Sequence, residues 1–386
     1  MEQPVGETIE KYFGNLRDPR LERTRLHKLL DILIIALCAV IGGADNWEDV
    51  AEFGRAKEEW FRSFLALPNG IPSHDTFRRV FAKLDAVAFQ QSFVRWVQAV
   101  SQVLPGQVIA IDGKKPHGSK DPGIGRGAID MVSAWASENE LVLGQVKVDD
   151  KSNEITAIPE LLRMLAIAGC IVTVDSMGCQ VEVAKTCVEQ EADYVLALKE
   201  NQPLLYADVE RLFADLDASP PRSYVFDYAH SFDNTHGRAE KRQCWTIADP
   251  EVVQHLHDAE RWPKLQCVVR VRREYSDGTQ RKCEDRFFLA SLSGEAKQIL
   301  WAVRNHWHVE NKLHWVLDMA FREDDSRVRK EQGPENFAVL RHIALNLLKQ
   351  EKTSKRSIKG KRLQAAWKTE YLETVLAGLS NLAQLV

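Results

Sequence analysis

The chain has 386 residues, 45 % of them apolar and 27 % charged, with a formal net charge of −4. That length holds two or three domains at roughly 150 residues each, and the balance is that of a globular protein, not a disordered or fibrous one. The small negative charge excludes a surface that is basic all over. The seven cysteines, scattered without a CxxC spacing, exclude a zinc ribbon and point to reduced thiols.

Residues 1–103 read as an all-helical region. Its longest apolar run, residues 29–41, is interrupted by Asp31 and is shorter than the roughly 20 residues a bilayer span needs. The N-terminus lacks the basic-then-apolar order of a signal peptide, so a cytoplasmic protein with no membrane partner is expected. Residues 26–40 predict an apolar helix. Residues 46–65 predict an amphipathic one, with Trp47, Val50, Phe53, Trp60 and Phe64 on related faces. A stretch rich in breakers, residues 67–72, follows, and Ser73 or Asp75 caps a helix over 76–84. That helix carries Arg78, Arg79 and Lys83. A helix, a Gly-containing turn and a capped basic helix resemble a helix-turn-helix DNA reader. An ordinary helix pair fits the same pattern.

After Pro105-Gly106 the period changes. Strands are predicted over 107–112, 131–136, 141–148, 170–175 and 193–199, with helices over 159–168 and 181–191. Residues 122–127, Pro-Gly-Ile-Gly-Arg-Gly, lack the trailing Gly-Lys-Ser/Thr of a phosphate loop and read as a turn. Three strands followed by alternating units imply a mixed sheet with helices on its faces. Residues 205–293 read as a β-rich insertion. An aromatic helix over 301–321 follows, and a basic segment closes the chain.

Three carboxylates carry the chemistry of this pattern. Asp112 and Asp175 end apolar strands, and Glu310 sits within the aromatic helix. An acid at the end of a buried strand is costly unless paired, and a hard divalent cation is a natural partner. Two acids on neighbouring strands and one on a helix can hold two Mg²⁺ ions, with Mn²⁺ as a substitute, for in-line phosphoryl displacement. His306, Glu310 and His314 share a helix face, which also raises a zinc site. However, positions eight apart lie about 12 Å apart at ~1.5 Å per residue, too far for one ion.

Other residues suit phosphate contact. His236, Arg238, Glu240 and Arg242 alternate by two and share one strand face, fitting either phosphate recognition or a surface ion-pair ladder. Lys199, Asn201 and Gln202 follow a strand and either touch a DNA backbone or cap the next helix. Lys349, Lys352, Lys355, Arg356, Lys359, Lys361, Arg362 and Lys368 stand against the single acid Glu351. This stripe serves a phosphate backbone or is a solvated segment.

Five motifs in order then resemble a known family. They are Ile111-Asp112-Gly113-Lys114; Val174-Asp175-Ser176-Met177-Gly178; Tyr194 through Lys199 to Asn201-Gln202; His236-Gly237-Arg238 with Glu240 and Arg242; and Asn305-His306-Trp307-His308-Val309-Glu310-Asn311 with Leu313-His314-Trp315. Together these resemble the DDE transposases of the H-repeat-associated insertion-sequence type, over roughly residues 19–376. The resemblance implies an α/β fold: a ribonuclease-H-like mixed sheet with flanking helices, interrupted by the β-rich insertion and preceded by the all-helical region. The expected division is 1–103 helical and DNA-binding, 104–204 catalytic core, 205–293 insertion, 294–350 core with the Glu310 helix, and 351–386 basic helical segment.

The resemblance further implies Asp112, Asp175 and Glu310 as metal ligands, double-stranded DNA as partner, and a homo-oligomer working on transposon ends in the bacterial nucleoid. Four positions depart from the family's pattern. Val303, His306 and Leu317 stand where relatives commonly carry Tyr, Arg and Lys, and Asp130 stands where a His is expected. His306 would replace the Arg as a phosphate contact. Two alternatives stay open: a nuclease that cuts without joining, and an inactive transposase derivative that only binds DNA.

Overall fold

The computed structural model describes residues 4–101, 103–120, 127–148, 153–218, 226–235, 238–276 and 281–381. Helices α1 (Pro4–Phe13), α2 (Leu29–Ile41), α3 (Trp47–Ala56), α4 (Glu58–Arg62), α5 (His74–Lys83) and α6 (Ala86–Val100) come first. Helix α2 is apolar on every side because every side is covered. It packs on α1, α3, the later helix α13 (Gly333–Gln350) and α14 (Ile358–Trp367), and all its residues except Leu30 are buried. The expected 46–65 helix is two helices, broken at Lys57, whose backbone (φ −119°, ψ 22°) leaves the helical region. Asn46 caps the first by accepting the Asp49 amide at 2.8 Å, and Ser73 caps α5 through the Thr76 amide. Residues 63–73 join α4 to α5, a connection longer than the three- or four-residue turn of a helix-turn-helix. The DNA-reader geometry expected there is therefore not formed.

The rest of the chain builds one sheet. Its strands are β1 (Val108–Lys114), β2 (Met131–Ala136), β3 (Leu141–Lys147), β4 (Ile171–Val174), β5 (Asp193–Leu198), β6 (Phe226–Thr235), β7 (Arg238–Ile247), β8 (Cys267–Ser276) and β9 (Arg281–Ala290). The spatial order is β3-β2-β1-β4-β5-β9-β8-β7-β6. Strands β1, β4 and β5 run parallel; β2 is antiparallel to β1, and β3, antiparallel to β2, runs in the same direction as β1. This 3-2-1-4-5 arrangement is the ribonuclease-H-like sheet. The insertion continues the sheet: β9 pairs antiparallel with β5, and β8, β7 and β6 follow as a meander. Residues 122–126 of the Gly-rich turn lie outside the described residues.

Between the strands lie α7 (Glu154–Met164), α8 (Val181–Glu189), α9 (Pro203–Ala218) and α10 (Pro250–Val253). Helix α7 begins five residues before the expected start at Pro159. Asn153 caps it, its side chain accepting the Ile155 amide at 3.1 Å, and Pro159 sits buried inside the helix. After the sheet come α11 (Ala296–His306), a π-helical segment (Val309–His314), α12 (Trp315–Phe321), α13, α14 and α15 (Thr369–Asn381). The seven cysteines are free thiols, all buried but Cys283. No helix among the described residues is long and apolar enough to cross a membrane.

Helix α13 runs through the middle of the core with every residue but Glu335 buried. On it His342 is enclosed near the Phe93 ring. Burial lowers its imidazole pKa to about 4 from 6.5, with Glu323 pulling the other way. A neutral buried imidazole binds fewer protons than the same group in the unfolded chain. Stability should therefore fall as pH drops from 6.5 towards 4, by about 3 kcal/mol. Urea melts at pH 7 and pH 4 should show His342→Leu losing that much less than the wild type. Equal losses would contradict the assignment.

Candidate active site

The strand register sets the site. Ile111 pairs with Val174, so Asp112 and Asp175 stand level, one step on, at the carboxyl ends of adjacent parallel strands ~4.8 Å apart. Side chains alternate across a strand. Asp112 thus shares its face with Val108 and Ala110, and Asp175 shares its face with Ile171 and Thr173. Val108 and Ile171 pack in one cluster with Ile299, Ala302 and Val303 of α11, so this face is the one α11 covers. The chain then delivers Glu310 in the first turn of the π-helical segment. Such wide turns are rare and frequently mark functional sites.

Asp175 is held by its own loop. Its Oδ1 accepts the amides of Met177 (3.1 Å) and Gly178 (3.2 Å). A Cβ at Gly178 would lie 2.1 Å from Val174 Cγ1 and 2.8 Å from Ile158 Cδ1, so only glycine lets the loop close this tightly. Gly178→Ala should cost about 1–3 kcal/mol and displace Asp175. A thermal melt alongside a DNA-nicking assay would register both effects, and a fully active, fully stable variant would refute this role for the loop. Asn201 and Gln202 brace the same loop. Asn201 Nδ2 donates to Ser176 O at 2.7 Å, and Gln202 Nε2 donates to Cys179 O at 3.1 Å.

Two histidines flank Glu310 at four residues on either side. His306 Nδ1 lies 3.1 Å from Thr173 Oγ1 of β4, and His314 Nδ1 lies 3.3 Å from Asp112 Oδ2 of β1. They turn to different strands, so the one-helix zinc site is not formed. Burial pushes the His306 pKa down while Asp112 and Asp175 oppose the shift.

A cavity of about 670 Å³ joins these parts. Asp112, Asp175 and Glu310 all line it, with Thr173, Lys199, Asn201, Arg286, Val303, His306 and Trp307. Arg286 projects from β9, 2.9 Å from Glu284 and with its guanidinium 4.9 Å from the Trp307 ring centre. The sequence reading missed it, because only the β5–β9 pairing, Ala197 opposite Phe288, shows that Arg286 shares the acids' face.

Glu154 was missed too, because α7 was expected to begin later. The Asn153 cap with an acid in the first turn was the signal available. A Cβ on Gly113 would lie 2.3 Å from Glu154 Oε1. Burial, then the carboxylates of Asp130, Asp175 and Asp112, raise the Glu154 pKa, with Lys115 opposing. The site is thus a concentration of negative charge with hard oxygen donors, the chemistry that Mg²⁺ or Mn²⁺ takes. Among the described residues no three acid, His or Cys side chains are drawn together closely enough to hold an ion as they stand. The donor type fits, and Glu310 is exposed.

The other expected contacts divide. Arg78 and Arg79 are exposed on α5 beside Asp75, at 2.5 Å and 3.7 Å. Arg242 is held by Asp233 (2.6 Å) and Glu240 (2.5 Å), and Arg273 also pairs with Glu240, so this face carries an ion-pair ladder. His236 and the side chain of Arg238 lie outside the described residues. Lys359 is exposed, as are Lys352, Lys355, Arg356 and Lys368.

Lys361 and Arg362 correct the expected DNA stripe, because both are buried. Lys361 Nζ donates to Leu348 O and Glu351 O at the end of α13. Arg362 donates to Val40 O in the last turn of α2, to Ala44 O beyond it, to Ala320 O in α12 and to Asp45. The cause is the orphan carbonyls that every helix C-terminus leaves. Leu317 is likewise buried in the core.

Known proteins resemble this chain along most of its length. Residues 101–347 match the family model "Transposase DDE domain", and residues 10–97 match "DDE_Tnp_1-associated". "Putative transposase YncI" of Escherichia coli O157:H7 is 38 % identical over 377 residues, covering 97 % of this chain and 96 % of that protein. "H repeat-associated putative transposase YhhI" of Escherichia coli K12 is 40 % identical over 356 residues, covering 91 % and 93 %. Among solved structures, a piggyBac transposase synaptic complex with hairpin DNA aligns over 97 % of this chain and 79 % of that one at 11 % identity. Its TM-score of 0.40 is too low to add to the argument. On the two family models and the near full-length relatives, this chain belongs to the H-repeat-associated DDE transposase family.

Proposed function

We propose that the protein hydrolyses a phosphodiester at the ends of an insertion sequence and joins the freed 3′-hydroxyl to target DNA. Asp112, Asp175 and Glu310 are the catalytic residues, holding Mg²⁺ or Mn²⁺. The observation that supports this most is the single cavity lined by all three acids at the carboxyl ends of β1 and β4, where open α/β sheets place their ligands. Two bound divalent ions supply Lewis acidity to the attacking and leaving oxygens.

The chain's own groups do the rest. The Asp175 loop fixes one carboxylate through two backbone amides. His306, which burial favours in its neutral form, ties the Glu310 element to β4. Lys199 and Arg286 put cationic groups on the cavity wall, suited to the non-bridging oxygens of the phosphate under attack. Away from the cavity, Lys352, Lys355, Arg356, Lys359 and Lys368, with Arg78, Arg79, His236 and Arg238, serve the duplex backbone. The chain acts as a homo-oligomer on paired ends in the cytoplasm.

The departures at Val303 and Leu317 favour a second reading, a DNA-binding derivative without chemistry. Incubating the full chain with its flanking inverted repeats in Mg²⁺ or Mn²⁺, and mapping the products, separates the readings. Cutting at the repeat ends and joining of pre-cut ends are expected. Binding without nicking supports the derivative, and cutting without joining supports a nuclease.

A further inference from the structure

We infer that His314 is a positioning residue that fixes the Asp112 carboxylate relative to Glu310, an inference that rests on the proposed metal site. Three observations carry it. His314 Nδ1 is 3.3 Å from Asp112 Oδ2, with both side chains largely enclosed at 12 % and 17 % exposure. His314 Nε2 is buried and has no hydrogen-bond partner among the described residues. The imidazole's nearest polar partner is therefore the aspartate, at ion-pair distance, and a proton carried on Nδ1 would face it. Lastly, the element that carries His314 is pinned to the same strand at a second point. Lys114 shares the Asp112 face of β1, bonds Asp318 on the next turn, and lies 3.0 Å from the buried Glu323 and 3.4 Å from His314 O.

The π-helical segment explains why this clasp is possible. Glu310 and His314 both lie within Val309–His314, and the wide turn re-aims the side chains that follow it. On one side of Glu310, His306 reaches Thr173 of β4. On the other, His314 reaches Asp112 of β1. The two contacts bracket the glutamate between the two strands whose ends carry the other acids. His314 itself stays outside the cavity lining, so it acts through Asp112 by committing one carboxylate oxygen and fixing the rotamer. Partners of this kind commonly change metal affinity by about 10–100-fold when removed.

The test is Mn²⁺ binding to the full chain, read as loss of the free-ion electron paramagnetic resonance signal and repeated with Mg²⁺ as competitor. It compares wild type with Asp112→Asn, His314→Ala, His314→Asn and His314→Gln, with a thermal melt on each. The Asn amide reaches the Nδ1 position and the Gln amide does not. The Ala and Gln variants should bind Mn²⁺ about tenfold or more weakly, and Asn should recover most of the affinity. If Ala fails to fold, the Asn–Gln pair of similar polarity decides. Unchanged affinity in Ala and Gln, or equal losses in Asn and Gln, overturns the inference while leaving the metal site intact. If Asp112→Asn binds Mn²⁺ as tightly as wild type, the metal-site reading itself has failed, and the inference fails with it.

Discussion

Asp112→Asn is expected to reduce DNA end cleavage by about a thousandfold or more while leaving the fold and duplex binding intact. The substitution keeps the side chain's shape but removes its charge. The carboxylate stands at the end of a central strand, level with Asp175, and lines the same cavity as Glu310. Losing one anionic ligand there removes several kcal/mol of charge stabilisation, and each 1.36 kcal/mol is tenfold in rate. The fold should be nearly indifferent, because the neighbouring carboxylates Asp175 and Glu154 gain relief from a like charge. Gel-shift and nicking assays on the same preparation give the comparison. Undiminished nicking in Mg²⁺ would remove Asp112 from the chemistry, and loss of both binding and folding would make it structural.

The second large effect is a separation between neighbouring basic residues. Arg362→Ala should destabilise the protein by about 3–5 kcal/mol and leave the duplex affinity of the folded fraction unchanged. Its guanidinium is buried against the Phe321 ring at 4.3 Å and bonds carbonyls in and just after the last turn of α2 and in α12, as well as Asp45. Removal takes a donor from each of these groups, and one left buried without any other partner costs about 1–3 kcal/mol before relaxation. Lys359→Ala, three residues earlier and exposed, should do the reverse. Stability should stay within ~0.5 kcal/mol, and the salt dependence of DNA binding should lose about 0.9 in log–log slope if one phosphate contact goes. Denaturant melts and salt-titrated binding isotherms on both variants check this. A stable Arg362→Ala protein with weakened DNA binding would return that residue to the surface stripe.

These contrasts show what the sequence carries. Strands β1, β4 and β5 are legible because a parallel strand covered on both faces reads as a continuous apolar run, and an acid ending such a run stands out. The β2–β3 hairpin is legible from its two apolar runs around residues 137–140. Helix α7 is half legible: Pro159 looks like a helix start, whereas Asn153 already caps the helix and buried packing tolerates the proline inside it.

What depends on register or on distant backbone is not legible. Arg286 reaches the cavity only because β9 pairs with β5. The joining of the insertion to the core sheet follows from the same pairing. Lys361 and Arg362 carry the same charge as Lys359, and nothing in their spacing reveals the helix carbonyls that draw them inward. The spacing of His306, Glu310 and His314 shows a shared face, but not that the histidines part to different strands.

The central claim is that Asp112, Asp175 and Glu310 clasp divalent cations together. Crystals of the full chain soaked in Mn²⁺ and measured for anomalous scattering test it most directly. Peaks between the three carboxylates, absent from Asp112→Asn crystals, are predicted. Mn²⁺ density confined to other acids, with Glu310 turned away from β1 and β4, would contradict it.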